Sequence, residues 1–462
     1  MSDVEPNPPP LRTLPRVLGA FDAMMVVVGS VIGSGIFLKP GIAARELPSV
    51  ALILAVWIGV GGITLCGCLS LAELAAMLPQ AGGPYVYLRE AYGRLTAFLW
   101  GWTEFWVVRT GSIGALAVAT AIYLGQVVPL SRLGLEVVSV GLVVVLALLN
   151  LYSTRWTAHL QNLTGVAKVG FLGLVIVLPY LMGRVDTANL APLWPAESGA
   201  SLWRGVLLAM IAVMWPYDGW INIGPVVEEV RDPQRNVPRG LALGMGLVIA
   251  VYAAANLSYH LTMPLEKIAG SSAVAAELFS TLIGSEAGKW VALGVMVSTF
   301  GAVNSNMLTG PRIYFAMARD GLLPKAIHAV HSRYETPANA VILQASWTVI
   351  LIVVAFRVAD HPGDAFDTLT NYVIFGGYTF YNLAVAAVFV LRRKLPFQPR
   401  PYRTWGYPFT PALYVVAFGV VLVNMLLDDS TRNTSLSGLL LIAAGVPVFY
   451  WMRARHHTSG RS

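Results

Sequence analysis

The sequence predicts an all-helical integral membrane bundle of about twelve spans, two of them broken near their centres. Three observations carry that expectation. Of the 462 residues, 56% are hydrophobic and only 12% charged, against roughly 25% charged in a soluble domain. So little polar surface cannot coat the chain in water. Apolar runs of ~20 residues, the length that crosses a bilayer, recur from Val17 almost to the C-terminus. The first and sixth runs carry helix-breaking residues at mid-depth.

The runs begin near Val17, Ser49, Leu95, Leu133, Leu160, Leu202, Leu241, Lys289, Asn339, Phe366, Phe409 and Leu436. With both chain ends in the cytosol, the inner segments hold about 20 of the 31 Lys+Arg and the outer ones about 9. The net charge of +7 is therefore a topology signal and gives no reason to expect nucleic acid. Residues 1–16, "MSDVEPNPPPLRTLPR", read as a polar, disordered cytosolic tail with no cleavable signal. Residues 454–462 form a second cytosolic tail, in which His456 and His457 are solvated. Cys66 and Cys68 lie inside an apolar run, which excludes a disulfide framework and gives no metal-ligand set. No cofactor or metal is expected. A membrane enzyme would need a buried nucleophile–base set or metal ligands, and the seven histidines fall near span ends and in loops. A sensor would need a long soluble output domain, and the polar segments here are short loops.

The first broken run is "VVVGSVIGSGIFLKP", where Gly29, Gly33 and Gly35 crowd the middle. Each costs a helix interior ~1 kcal/mol relative to alanine. Gly29-x-x-x-Gly33 also fits small-residue helix packing. The sixth run, "GVLLAMIAVMWPYDGWINIGPVVEEV", gathers Pro216, Asp218 and Gly219 at its centre. Paired interruptions five spans apart point to a secondary transporter built from inverted repeats: spans 1–5 over residues 17–183, spans 6–10 over 202–394, then two further spans over 408–453. Unwound backbone must line a cavity or bind a ligand, because lipid cannot satisfy it. Freed amides at a half-helix N-terminus suit a carboxylate, and freed carbonyls suit an ammonium. Together they describe a receptor for a zwitterionic amino acid.

These residues resemble a known family. "GSVIGSGIFLKPG" looks like the first span of amino acid/polyamine/organocation transporters. "YDGWINIGPVVEEVRDPQRNVPRG" and "STFGAVNSNMLTGPRIYFAMARDGLLP" resemble the L-type amino acid transporter branch. The resemblance implies the leucine-transporter fold, with 5+5 inverted repeats plus two C-terminal spans. It also implies sodium-independent transport of neutral amino acids, and in some members cationic ones as well, often by exchange. Proton-coupled uptake is the alternative. By the same resemblance the substrate carboxylate meets the amides of Gly33, Ser34 and Gly35, and the ammonium meets carbonyls of Val31, Trp215, Pro216 and Asp218. Trp215 stands at the position of the gate. Animal members bind a glycoprotein through a cysteine between spans 3 and 4, and "GQVVPLSRLGLE" has none. A chain that works alone, in a prokaryotic-type plasma membrane, is expected.

Several residues have specific expectations. Asp218 either tunes the pocket toward basic groups or caps the broken helix end. Lys168, counted from His159, lies roughly two turns into span 5. The resemblance makes it a substitute for a sodium ion, with its ammonium near Gly29 and the hydroxyls of Ser298 or Thr299. A snorkelling lysine is the alternative. Arg109 follows Glu104 by five residues, too far round an α-helix to pair, and has no assigned role. Glu228 and Glu229 read as a solvated helix end with interlocking loop charges. Tyr85 and Tyr87 mark an inner loop.

Overall fold

The computed structural model describes residues 14–195, 199–271, 273–358 and 362–459, all in helices and connecting loops. The single β pairing among them is an isolated parallel bridge between Leu18 and Val230. Among the described residues, eleven helical segments are long and apolar enough to cross a membrane. The sixth expected span is built differently: a 15-residue α-helix, Ala200–Met214, then a turn at 215–219, then the 3-10 segment Trp220–Glu229. Span 1 is likewise divided, into Ala20–Val31 and Gly35–Leu38.

The unbroken spans follow in order: span 2, Val50–Met77; span 4, Arg132–Tyr152; span 5, Thr154–Leu181; span 7, Pro233–Thr262; span 8, Gly288–Arg319; span 9, Ala338–Val358; span 10, Pro362–Lys394; span 11, Phe409–Leu427; span 12, Arg432–Ser459. Span 3 runs Arg94–Thr103 and Arg109–Val127, joined by a π-helical turn at Glu104–Val108. Spans 1, 3, 6 and 8 form the buried centre, and the lipid-facing sides lie on the periphery. Span 4 presents Leu133, Val137 and Val145 outward at more than half exposure, as apolar residues can where the surroundings are hydrocarbon. The Lys and Arg side chains at the ends of spans 6, 8 and 10 gather at one end of the bundle, the arginine-rich end.

Several boundaries differ from expectation. Span 5 begins at Thr154, so Lys168 lies about four turns, ~21 Å, along it and sits at mid-depth. Of the expected tail, residues 1–13 lie outside the described residues. Leu14 is buried, with its amide on Glu228 Oε1 at 3.1 Å, so the tail does not extend to Arg16. The segment with Tyr85 and Tyr87 is a helix, Pro84–Tyr92, whose two tyrosines are fully buried. Span 12 continues through Ser459, past the expected end at 453.

Candidate functional site

Spans 1 and 6 cross where both are broken, and glycine makes the crossing possible. A Cβ on Gly35 would lie 2.8 Å from the Pro216 Cα. On Gly219, whose φ is +106°, it would lie 2.8 Å from the Ser30 carbonyl oxygen. Neither backbone can move aside without parting the two spans. Gly29 leaves room for the Gln161 side chain. Gly33 meets nothing closer than Leu116 at 4.0 Å and opens onto a cavity.

That cavity, about 30 Å³, is lined by Val31, Gly33, Ser34, Gly35, Trp215 and Asp218, with Ser112, Asn222 and Asn306 on its far side. It has room for about one water, so its walls must part to admit an amino acid. The amides of Gly33, Ser34 and Gly35 make no backbone hydrogen bond, and the buried Ser34 hydroxyl has no partner. Four adjacent donors are thus available to an anion. Facing them, Asp218 is partly exposed to the cavity. The Gly219 amide and Tyr381 hydroxyl approach its carboxyl, but Oδ1 carries no hydrogen bond. The 3-10 segment that follows has Gly219 at its N-cap, so its broken end meets the Asp218 carboxyl through the Gly219 amide.

The carbonyls on the ammonium side are less free than the sequence suggests. Tyr252 donates its one hydroxyl proton to either Val31 O or Pro216 O, each 3.1 Å away. Trp215 O accepts the Asp218 amide at 3.1 Å. Pro216 packs behind Gly35 and is not part of the cavity wall. Trp215, 8% exposed, borders the cavity.

Lys168 is 1% exposed and does not snorkel. Its ammonium donates to Gly29 O and Ile32 O, both at 2.7 Å. These are the last carbonyls of a half-helix, the negative end of its dipole. Ser298 caps the same end, donating to Gly33 O at 2.9 Å and Ile32 O at 3.3 Å. It therefore shares an acceptor with the lysine and does not touch the ammonium through its hydroxyl. Thr299 lies outside this group, paired with Thr120 at 2.7 Å. Gly301 makes room for the lysine stem, since a Cβ there would come within 2.8 Å of Lys168 Cε.

Arg109 does pair with Glu104, Nε to Oε2 at 2.8 Å, and the π-helical turn is the reason. An i→i+5 backbone bond runs from the Arg109 amide to Glu104 O, and it stacks residues five apart that an α-helix would separate. Glu229 is not solvated. It is fully buried against Arg312, with contacts of 2.7 and 3.1 Å, and Arg312 also donates to Thr154 Oγ1 at 2.9 Å. Glu228 joins the Leu14 amide, the Ala81 amide at 2.8 Å and Arg319 at 3.2 Å. The expected interlocking is present, and both acids at this helix end are buried. Asp320 adds a further layer, accepting from Tyr85 at 2.7 Å and Arg89 at 2.5 Å. These tiers fill the bundle between the cavity and the arginine-rich end. Tyr252, Ser112, Asn222 and Asn306 went unnoticed in the sequence. The two asparagines are amides within otherwise apolar runs, and that was the available signal.

Residues 18–447 match the amino acid permease family. The chain is 31% identical to the serine/threonine exchanger of Bacillus subtilis (strain 168), over 96% of this chain and 98% of that protein. It is 32% identical to the large neutral amino acids transporter small subunit 2 of Homo sapiens, over 95% and 80% of the two chains. With the Asc-type amino acid transporter 1 of Mus musculus the identity is 29%, over 95% and 81%. That family has the leucine-transporter fold, to which two spans broken at one crossing conform. The chain belongs to the amino acid permease family, in its L-type branch, and is a multi-pass membrane transporter of amino acids, not an enzyme.

Proposed function

We propose that the chain exchanges neutral and cationic L-amino acids across the plasma membrane by alternating access, without sodium. The observation that carries this reading is the cavity at the crossing, where the unbonded amides of Gly33, Ser34 and Gly35 face the Asp218 carboxyl. The amides take the substrate carboxylate, with the Ser34 hydroxyl assisting. Carbonyls of Val31, Trp215 and Asp218 take the α-ammonium through lone pairs left by their present partners, with Pro216 O supporting Tyr252 from behind. Trp215 gates the cavity. Asp218 reads a basic side chain through Oδ1, which carries no hydrogen bond, while the Gly219 amide and the Tyr381 hydroxyl hold the carboxyl in place. Lys168 takes the place of a bound cation by neutralising the carbonyl end of span 1, with Gly29 accepting its bond and Ser298 sharing Ile32 O. Thr299 supports span 8 through Thr120. Residues 17–183 and 202–394 form the two inverted repeats, and the arginine-rich end with both termini faces the cytosol. The carrier works as a monomer and needs no disulfide-linked glycoprotein, its cysteines being in span 2.

A competition panel of neutral, cationic and anionic amino acids in proteoliposomes tests this, repeated with Asp218→Gly. Cationic competitors should work on the parent and fail on the variant, while neutral ones persist. Equal loss of all substrates would return Asp218 to a structural role. Proton-coupled uptake is the second reading, favoured by a buried lysine with no carboxylate partner. Counterflow under a collapsed pH gradient separates the two: exchange persists, and coupled accumulation stops.

A further inference from the structure

Arg109 lies behind the cavity wall, 3% exposed, and touches that wall only through two amides. Its Nη1 donates to Asn222 Oδ1 and to Asn306 Oδ1, both at 2.6 Å. A guanidinium has donors and no acceptor, so both asparagines must turn their oxygens toward it. The Asn306 amide nitrogen then points back along its own helix to Ala302 O at 2.9 Å. One cation thus fixes the orientation of both amides on this wall.

The spans that carry these groups differ in an important way. Glu104 and Arg109 belong to span 3, and Asn306 and Thr309 to span 8, continuous helices packed along each other. Asn222 belongs to the short 3-10 segment of span 6, just beyond the break. Arg109 is fastened to the continuous pair by Glu104, by Asn306 and, more loosely, by Thr309 at 3.4 Å. Its bond to Asn222 is the one that leaves that pair. A cavity of about 30 Å³ cannot take an amino acid unless a wall moves. Of the two amides that Arg109 holds, Asn222 is the one on an interrupted span.

We propose that Arg109 is the positioning residue that makes opening toward the arginine-rich end conditional on loading. Cargo entering the cavity parts Asn222 from Asn306 and breaks the Arg109–Asn222 bond. The 3-10 segment then keeps its bonds at that end, Glu229 to Arg312, Glu228 to Arg319 and to the Leu14 and Ala81 amides, and the Leu18 and Gly82 amides to its carbonyls, but has lost its bond to Arg109 beside the cavity. Without cargo the bond stays closed and the unloaded carrier does not return. Loading is thereby tied to movement, which is what distinguishes an exchanger from a uniporter. This inference rests on the exchange reading above.

Two variants test it. Arg109→Lys keeps a charge for Glu104 but has one nitrogen where arginine uses two, Nε for Glu104 and Nη1 for both amides. The double variant E104Q/R109Q removes both charges together and leaves no lone ion in the interior. Reconstituted protein is loaded with labelled amino acid, and efflux into substrate-free buffer is compared with efflux into buffer containing unlabelled substrate. The parent should strongly favour the second. In both variants the ratio of unloaded to exchange efflux should rise roughly tenfold, the effect of losing one charge-assisted hydrogen bond, with KM within about twofold. A purely structural role would lower both fluxes together. A folded variant of either kind with the parental ratio overturns the latch alone. A parent that transports but shows no trans-stimulation overturns the exchange reading, and the latch with it.

Discussion

Replacing Lys168 with methionine keeps the hydrocarbon stem beside Gly301 and removes the ammonium. Two charge-assisted hydrogen bonds disappear, to Gly29 O and Ile32 O, at about 1.5–3 kcal/mol each. Ile32 O keeps Ser298, whereas Gly29 O is left without that donor. Against this loss, the ammonium has no anionic partner, and burying it costs several kcal/mol that the variant recovers. Stability should therefore change by only about 2 kcal/mol in either direction. The tether between span 5 and the broken end of span 1 behaves differently, because it loses both bonds and regains nothing. Every 1.4 kcal/mol shifts an equilibrium tenfold, so exchange turnover should fall at least tenfold. Uptake into substrate-loaded proteoliposomes measures turnover, and a thermal melt in detergent checks stability on the same preparation. A Lys168→Met protein with parental melting and turnover within twofold of the parent would refute this account of the tether.

Other perturbations test other parts of the structure. Glu229→Gln leaves the Arg312 charge fully buried and unpaired, which should cost about 3–5 kcal/mol and show as a clear drop in melting temperature. Replacing Glu229 and Arg312 together by glutamine and methionine should recover most of that loss. Gly219→Ala strains a φ of +106° and drives a methyl against Ser30 O; transport should vanish while membrane insertion, followed by surface labelling, persists. Gly62→Ala, where the added methyl meets nothing within 4 Å, is the matched control and should transport normally. Ser34→Ala removes an unpartnered hydroxyl from the anion side of the cavity and should raise KM several-fold, the loss of one hydrogen bond at about 1 kcal/mol, with little effect on melting.

The features legible in the sequence were those whose cause is local. Glycine and proline break a helix wherever they stand, so the interruptions at Gly33–Gly35 and Pro216–Gly219 could be placed without coordinates. A lone cation in an apolar run must find oxygen in the protein interior, which marked Lys168. What escaped notice depends on partners distant in the chain. Glu229 at a span end looks like a solvated acid until Arg312 arrives from span 8, and Glu228 until Leu14 and Arg319 do. Tyr252 is unremarkable in span 7, yet its hydroxyl lies between two freed carbonyls of different spans. The Arg109–Glu104 pair was missed for another reason. Five-residue spacing was judged by α-helical geometry, and the backbone there is not α-helical.

That local widening of span 3 means its two ends are out of phase by one position. Each residue turns an α-helix by about 100°, so a one-residue deletion in an α-helical part of span 3 rotates everything beyond it by about that angle. A deletion within 105–108 instead removes the surplus residue: the turn closes into an ordinary α-helix, Glu104 and Arg109 come to stand four apart, and Ser112 and Leu116 keep facing the substrate chamber. Single-codon deletions should consequently be tolerated there and nowhere else along the span, a contrast that a deletion scan can expose.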